Sequence, residues 1–189
     1  MEVENLRVTR YSDGTNIHEY DNDALWIADT TGAFCWYDND LPTYGDDYGA
    51  LYNFYAVSND SGLIYFEKNG EQEEGWRVPT KGDYETLIAY TGGTALSGGK
   101  LKETGTTYWT TPNTGATNDF DFKARGSGRR DETGAYDSIT EQFYTWASTE
   151  AGAYTYRFGA SYDAATGTVT EMDGADKVLG YAVRCVRDV

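Results

Sequence analysis

The sequence GAYDSITEQFYTWASTEAGAYTYRFGASYDAATGTVTEMDGADKVLGYAVRCVRD occupies residues 134–188 and is rich in Tyr, Ser, Thr, Ala, Gly and Asp. It ends in the apolar run Tyr181–Val186, which is typical of a strand. Tyr supplies rigid amphipathic contact area and Ser and Gly supply adaptable polar contacts, as in antibody binding sites. Tyr and Thr are also ordinary strand residues. Two interpretations therefore stay open: a binding surface, or antiparallel strands whose solvent side is aromatic.

Asparagine is distributed unevenly along the chain. Residues 1–118 contain nine Asn and residues 119–189 contain none, although the earlier frequency (9/118 × 71) predicts roughly five. Strands deplete Asn, which accounts for part of the deficit. Charge divides at the same place, with 19 acids and 7 bases before Asp119 and 12 acids and 8 bases from there on. The C-terminal part is therefore chemically distinct from the acidic first part.

The composition argues against several classes of partner. At 189 residues the chain is predicted to form a single domain, residues 1–189, with a substantial core. A net charge of −16 and a pI near 4.3 argue against nucleic acid and anionic membranes, which need clustered Lys and Arg. No apolar run approaches the ~18 residues of a membrane span, so no membrane insertion is expected. The first residues lack the basic and apolar regions of a signal peptide, so none is expected.

Few residues have the chemistry of a metal or catalytic site. Cys35 and Cys185 fit either a bridge or two buried thiols, and the second is favoured because nothing else marks an oxidising compartment. The acidic triplet Asp38–Asp40 offers oxygen ligands to Ca²⁺, but a solvated turn is favoured because no EF-hand Gly or Glu follows in register. The single imidazole, His18, stands in a polar turn without a nearby Ser or Cys nucleophile. We expect no metal, no cofactor and no enzyme activity.

Local patterns predict an α+β chain of antiparallel strands with one main and one short helix. Thr80 and Asp83 form a helix-start signal, an apolar stripe at helical spacing follows, and Gly92–Gly93 ends the helix. A short helix is predicted over Gly99–Glu103. Turn residues separate the predicted strands, which are Leu6–Tyr11, Ala33–Tyr37, Phe143–Ser148, Tyr154–Ser161, Gly167–Met172 and Tyr181–Arg187.

Three other segments have less regular patterns. Residues 48–57 fit a helix and a buried strand equally well, so their structure stays open. Residues 58–75 read as a polar, acidic loop that ends in Glu71–Glu74. Residues 104–133 read as a loop region anchored by Trp109, Phe120 and Phe122.

Several strings, in order along nearly the whole chain, resemble the FISUMP (major paralogous) domain family. They are ENLRVTRYSDGT (4–15), CWYDND (35–40), YGALYNFYAV (48–57), GWRVPT (75–80), GGKLKETG (98–105), NTGATN (113–118), WASTE (146–150) and GYAVRCVRD (180–188). That family is similar to the C-type lectin-like fold of formylglycine-generating enzymes. Relatives with this fold serve as variable proteins of diversity-generating retroelements, in which mutation at adenines rewrites a C-terminal cassette.

The chain departs from these relatives in four ways. The family usually carries Cys-Pro ahead of its Gly-Trp, where this chain has Glu73–Glu74, so that family disulfide is absent. The N-terminal strand of the family is curtailed. The cysteine pair of the formylglycine-generating relatives is missing. The strings that bind Ca²⁺ in sugar-binding C-type lectins are missing too, since Trp146 precedes Ala-Ser and no acid precedes Pro112–Thr114.

The resemblance explains the absence of Asn. Mutating the adenines of Asn codons in a template yields Tyr, Ser, Asp, Gly, Thr, Ala and Phe. The resemblance therefore implies a variable cassette over about residues 130–180 that binds a protein or glycan on another cell or particle, in an extracellular, cell-surface or virion-associated setting. A metal-independent carbohydrate-binding domain and a structural cell-surface domain stay open as alternatives. The expected contact residues are Asp137, Ser138, Glu141, Gln142, Tyr144, Tyr154, Tyr156, Phe158, Ser161, Tyr162 and Asp163. Trp146 and Arg184 are expected to belong to the frame.

Overall fold

The computed structural model describes residues 4–64, 67–68, 71–72 and 75–188. It is a mixed α+β structure in which short helices surround several small, mainly antiparallel sheets. The α+β class predicted from the sequence is therefore confirmed. Residues Glu73–Glu74, which stand where the family usually has Cys-Pro, lie outside the described residues.

Five α-helices are present in this part of the chain. Their bounds are α1 Asp23–Ala28, α2 Asp46–Tyr48, α3 Phe54–Val57, α4 Lys81–Tyr90 and α5 Thr94–Leu101. Residues Tyr37–Asn39 and Gly174–Val178 form 3-10 turns, and Leu41–Gly45 forms a π turn.

The strands are short except in the C-terminal third of the chain. They are β1 His18–Glu19, β2 Ala33–Cys35, β3 Leu51–Tyr52, β4 Glu67–Lys68, β5 Glu71–Gln72, β6 Trp76–Arg77, β7 Ser127–Arg130, β8 Tyr136–Ile139, β9 Gln142–Ala151, β10 Tyr154–Ser161, β11 Gly167–Met172 and β12 Val186–Arg187. The sheet orders are β1-β2-β3, β11-β10-β9, β12-β6, β4-β5 and β7-β8. All these pairs are antiparallel except the parallel pair β1-β2. Two of the predicted strands, Tyr154–Ser161 and Gly167–Met172, have the observed bounds.

Helix α4 begins and ends as its sequence predicts. The Thr80 hydroxyl accepts from the Asp83 amide, and the Asp83 carboxylate accepts from the Thr80 amide, so two amides of the first turn are satisfied. At the other end the Gly93 amide donates to the Ile88 carbonyl. The apolar stripe of α4 packs on the sheet β9-β10-β11, with Tyr84 buried and Leu87 and Ile88 partly buried.

The first and last apolar runs of the chain lie side by side. The Leu6 amide donates to the Val183 carbonyl at 2.8 Å, and the Ala50 amide donates to the Leu6 carbonyl at 3.0 Å. Trp146 on β9 is fully buried in the same cluster as Leu6 and Val183, and its indole N–H donates to the Tyr52 carbonyl. Trp146, which the sequence assigns to the frame, is therefore a core residue.

Several predicted elements are wrong in type or extent. Residues 6–11 form a single bridge, Arg10 to Asn16, rather than a strand. Residues 23–28 form a helix that was not predicted, and the Asn22 side chain accepts from the Leu25 amide at its start. The short helix begins at Thr94 rather than Gly99.

Two further segments divide differently from the expectation. Residues 48–57, which fit a helix and a strand equally well, contain both elements. Strand β3 ends just before Asn53, and the Asn53 side chain caps α3. Residues 58–75, predicted to be a polar, acidic loop, contain the hairpin β4-β5. The anchors Trp109 and Phe122 are buried, whereas Phe120 is exposed beside Tyr90.

Both cysteines are buried thiols in separate apolar clusters. Cys35 packs with Trp26 and Leu51, and Cys185 packs in the cluster that contains Trp146. Burial raises the pKa of Cys35 to about 11, so its thiolate is scarce at neutral pH. The expectation of two buried thiols is confirmed. None of the helices in the described ranges has both the length and the apolarity that a membrane crossing requires.

Replacing Asp83 with Asn tests the start of α4. Hydrogen bonds from Arg77 hold the pKa of Asp83 well below its usual range. The carboxylate therefore stabilises the fold above the unfolded pKa near 4, and this contribution is lost as the pH falls through the folded pKa. We expect Asp83→Asn to lower the free energy of unfolding by about 1 kcal/mol at pH 7. In urea titrations, the difference in this free energy between the unmodified protein and the variant should become smaller below about pH 4.

A neighbouring carboxylate on the same helix provides the control. Glu85 makes an exposed contact of 3.6 Å with Lys81, so Glu85→Gln should change the free energy of unfolding by less than ~0.5 kcal/mol. A loss in Asp83→Asn that stays constant down to pH 2 would contradict the electrostatic role of this carboxylate.

Candidate functional site

The three-stranded sheet β9-β10-β11 has one covered and one partly open face. Successive side chains of a strand point to opposite faces, so Phe143, Phe158 and Val169 share the face that packs on α4 and α5. The Tyr84 ring stacks on the Phe158 ring at 5.3 Å between centroids. This packing holds the sheet rigid from behind.

The opposite face carries a shallow depression of about 140 Å³, which we call the sheet depression. Its lining residues come from all three strands and from the turn before β11: Gln142, Tyr144, Arg157, Gly159, Ala160, Ser161, Thr166 and Thr168. The predicted contact residues Gln142, Tyr144 and Ser161 therefore lie together. The next residues along this face, towards Trp146, are covered by the segment around Tyr181.

An arginine and a tyrosine form one wall of the sheet depression. The Arg157 guanidinium lies over the Tyr144 ring, 4.0 Å from its centroid, and 5.6 Å from the Tyr181 centroid. Gly159 leaves space for it, because a Cβ there would lie 2.6 Å from Arg157 Nη1 and 3.1 Å from Tyr144 Cδ1. Cation–π contacts of this kind contribute about 0.5–2 kcal/mol. Among the described residues, aromatic rings rather than a carboxylate therefore hold the guanidinium in place.

A chain of hydrogen bonds forms the opposite wall. Gln142 Nε2 donates to Ser161 Oγ at 3.1 Å, and Ser161 Oγ donates to the exposed Asp163 carboxylate. Beyond it, the Tyr162 amide donates to the Glu141 carbonyl, which continues the strand pairing past β9 and β10. Four predicted contact residues thus join Gln142 at this end of the sheet.

Asp137 and Ser138 lie on β8, next to the sheet. Arg129 Nε donates to both Asp137 carboxylate oxygens, at 3.0 and 3.1 Å, and this pair raises the pKa of Arg129. Ser138 Oγ donates to the Asp137 carboxylate. Burial raises the pKa of Tyr181, whereas the nearby charges of Arg157 and Arg129 oppose that increase. Both arginines therefore act electrostatically on Tyr181.

Three predicted contact residues lie elsewhere. Phe158 is fully buried and Tyr156 is 7% exposed, and both project towards the helices. The expectation that their side chains are available to a partner is wrong, because β10 alternates and these two point to the covered face. Tyr154 is 45% exposed but lies at the far end of β10, away from the sheet depression.

The loop beside the sheet depression is fixed by a buried lysine. Lys102 Nζ donates to the carbonyls of Thr114, Ser161 and Ala164 at 2.7–2.9 Å. Burial lowers the pKa of Lys102 to about 8. Because these acceptors are backbone atoms, the loop keeps its position whatever side chains it carries.

Sequence reasoning missed Arg157, Gly159 and Thr168 as lining residues. The alternation of side chains along β10 could have identified Arg157 and Gly159. Once Phe158 is assigned to the core, its neighbours Arg157 and Gly159 must face the other way. The structure was needed to show that Arg157 forms no ion pair with the residues that it describes.

The other candidate residues for metal binding or catalysis do not form a cluster in the described part of the chain. Within the described ranges, no group of three or more His, Cys, Asp or Glu side chains is placed to hold a metal ion. In the triplet Asp38–Asp40, Asn39 bonds to Asp21 and Tyr136 and Asp40 caps the Thr43 amide. His18 is an exposed side chain, with Nδ1 3.4 Å from the Thr31 hydroxyl.

A comparison with protein families identifies the chain. The family described as Fibrobacter succinogenes major domain matches residues 3–187. No curated protein and no solved structure matches the chain. Since the match spans almost every residue, including the sheet and its depression, the chain belongs to the Fibrobacter succinogenes major domain (FISUMP) family.

Proposed function

We propose that the chain is a recognition protein that binds a partner through the sheet depression and the residues at its rim. One observation carries this proposal: the open side of β9-β10-β11 presents polar and aromatic side chains while its reverse side is packed. Binding sites are most precise when they lie on rigid elements. The proposal includes a single domain of C-type lectin-like fold, in agreement with the contact between Leu6 and Val183.

We further propose that a retroelement diversifies the cassette at about residues 130–180. Besides the absence of Asn, the backbone conformation of the cassette supports this proposal. A positive φ favours Asn among non-glycine residues, and the first part of the chain has Asn39, Asn113 and Asn118 in this conformation. In the cassette the same conformation is taken by Ser138 and Thr140, at φ 62° and 60°. Ser and Thr are products expected from mutated Asn codons.

The proposed partner is a protein or glycan on another cell or particle, met in an extracellular, cell-surface or virion-associated setting. Recognition needs no metal or cofactor in this scheme, because side chains of the sheet supply the contacts. Aromatic and arginine side chains dominate many protein interfaces. Tyr144 and Arg157 are therefore the proposed centre of the contact, with Gln142, Ser161 and Asp163 as polar neighbours.

Sequencing the genomic locus tests diversification directly. We expect a near-identical second copy of the cassette beside a reverse transcriptase gene, with Asn codons opposite Ser138, Tyr144 and Ser161. Sibling genomes should differ at these codons and keep Trp146 unchanged. Absence of a repeat, or substitutions spread equally over Trp146 and the exposed residues, would contradict diversification.

Stability measurements test whether the exposed residues are independent of the fold. Glu141, Tyr154 and Asp163 are exposed, so replacing all three with Ala should lower the free energy of unfolding by less than ~1.5 kcal/mol in total. Phe158→Ala, on the same strand as Tyr154, should lower it by ~3–5 kcal/mol because it leaves a cavity beneath Tyr84. Urea titrations measure both. Unfolding of the triple variant would show that these residues support the core.

A further inference from the structure

Arg157 lacks the acidic partner that comparable arginines have. Arg7, Arg125 and Arg129 each lie within 3.2 Å of a carboxylate oxygen. Over the residues that the structure describes, Arg157 forms no ion pair, and its buried Nε–H has no hydrogen-bond acceptor. Only Nε of this guanidinium is a buried atom without a partner, so its two Nη groups are the donors that a ligand can reach.

The guanidinium is also held ready for a ligand. Tyr144 supports one face of it at 4.0 Å, and Gly159 supplies the space in which it lies. Little side-chain freedom would then be lost on binding, which favours affinity. The planar fork of an arginine matches a carboxylate in two parallel hydrogen bonds.

The rest of the sheet depression indicates what carries the carboxylate. At about 140 Å³ it is smaller than the pockets of about 300–1,000 Å³ that enclose drug-sized ligands, so it fits a single chemical group. The neighbouring side chains of Gln142, Ser161, Thr166 and Thr168 are amides and hydroxyls, which both donate and accept hydrogen bonds. Sugar hydroxyls also both donate and accept hydrogen bonds, so amide and hydroxyl neighbours suit the hydroxyls that flank the carboxylate of an acidic sugar.

We propose that Arg157, supported by Tyr144, binds the carboxylate of an acidic sugar on the partner, and that Gln142, Ser161 and Thr168 bind the hydroxyls of that sugar. This inference rests on the proposed function, because it assigns a ligand class to the same sheet depression. Gly159 acts as a positioning residue, since a side chain there would displace the guanidinium from Tyr144.

Two matched sugars test the proposal on the unmodified protein. Methyl β-glucuronide and methyl β-glucoside differ only in having a carboxylate or a hydroxymethyl group. We expect the glucuronide to shift the NMR signal of the Arg157 Nε–H and to bind at least about tenfold more tightly than the glucoside, a difference typical of one charge-assisted contact. Equal affinity for the two sugars would overturn the proposal.

Variants then locate the contact. Arg157→Gln should weaken glucuronide binding about tenfold or more, and Gly159→Ala should weaken it while keeping the charge. Arg7→Gln removes the same charge from an exposed ion pair with Asp46 and should leave binding unchanged. Unchanged binding by a folded Arg157→Gln protein would contradict the proposal.

A peptide probe distinguishes the source of the carboxylate. N-acetyl-glutamate amide should bind more weakly than the glucuronide, and equal or tighter binding would overturn the assignment to a sugar. Failure of every probe would also overturn it, whereas the locus sequencing and the stability series would still test the proposed function separately.

Discussion

Buried cations hold the loops of this acidic protein in place. Lys102, Arg130 and Arg184 are at most 1% exposed. Lys102 donates to carbonyls near residues 114 and 161–164, and Arg130 to those of Tyr20 and Gly134. Arg184 joins Asn5 to the carbonyls of residues 122–123. A loop carbonyl without a strand partner still needs a donor when buried, and charged donors make stronger bonds. Segments distant in sequence are thereby fixed together.

This anchoring determines which parts of the chain tolerate change. The bonds of Lys102 end on backbone oxygens, and so do the ladders between β9, β10 and β11. Neither depends on the side chains at residues 161–164. The side chains of the open face can therefore vary while the backbone that presents them stays fixed. The covered face has no such freedom, because Phe158 fills space between Tyr84 and Phe143.

The sequence predicted elements whose signals are local. Helix α4 follows from its capping box and terminal glycines, and strands β10 and β11 follow from the turns that bound them. Helix α1 was not predicted, since it spans only six residues and its N-cap, Asn22, is a residue type that is also common in turns. Composition predicted three of the eight residues that line the sheet depression, namely Gln142, Tyr144 and Ser161. Composition cannot separate the two faces of β10, so Tyr156 and Phe158 were assigned to the wrong side and Arg157 was overlooked.

The charge of the whole chain bears on which ligands the proposed site in the sheet depression would favour. A net charge of −16 repels anions at long range, although salt screens this repulsion beyond a Debye length of about 8–10 Å. Close to the sheet, Arg129 pairs with Asp137 and Lys177 with Glu150, whereas Arg157 forms no ion pair with the residues that the structure describes. A polyanion such as nucleic acid meets the repulsion along its whole length. A single carboxylate on a neutral carrier meets little of it and gains the short-range contact. Attraction at one point within a repulsive field therefore favours singly charged ligands over polyanions.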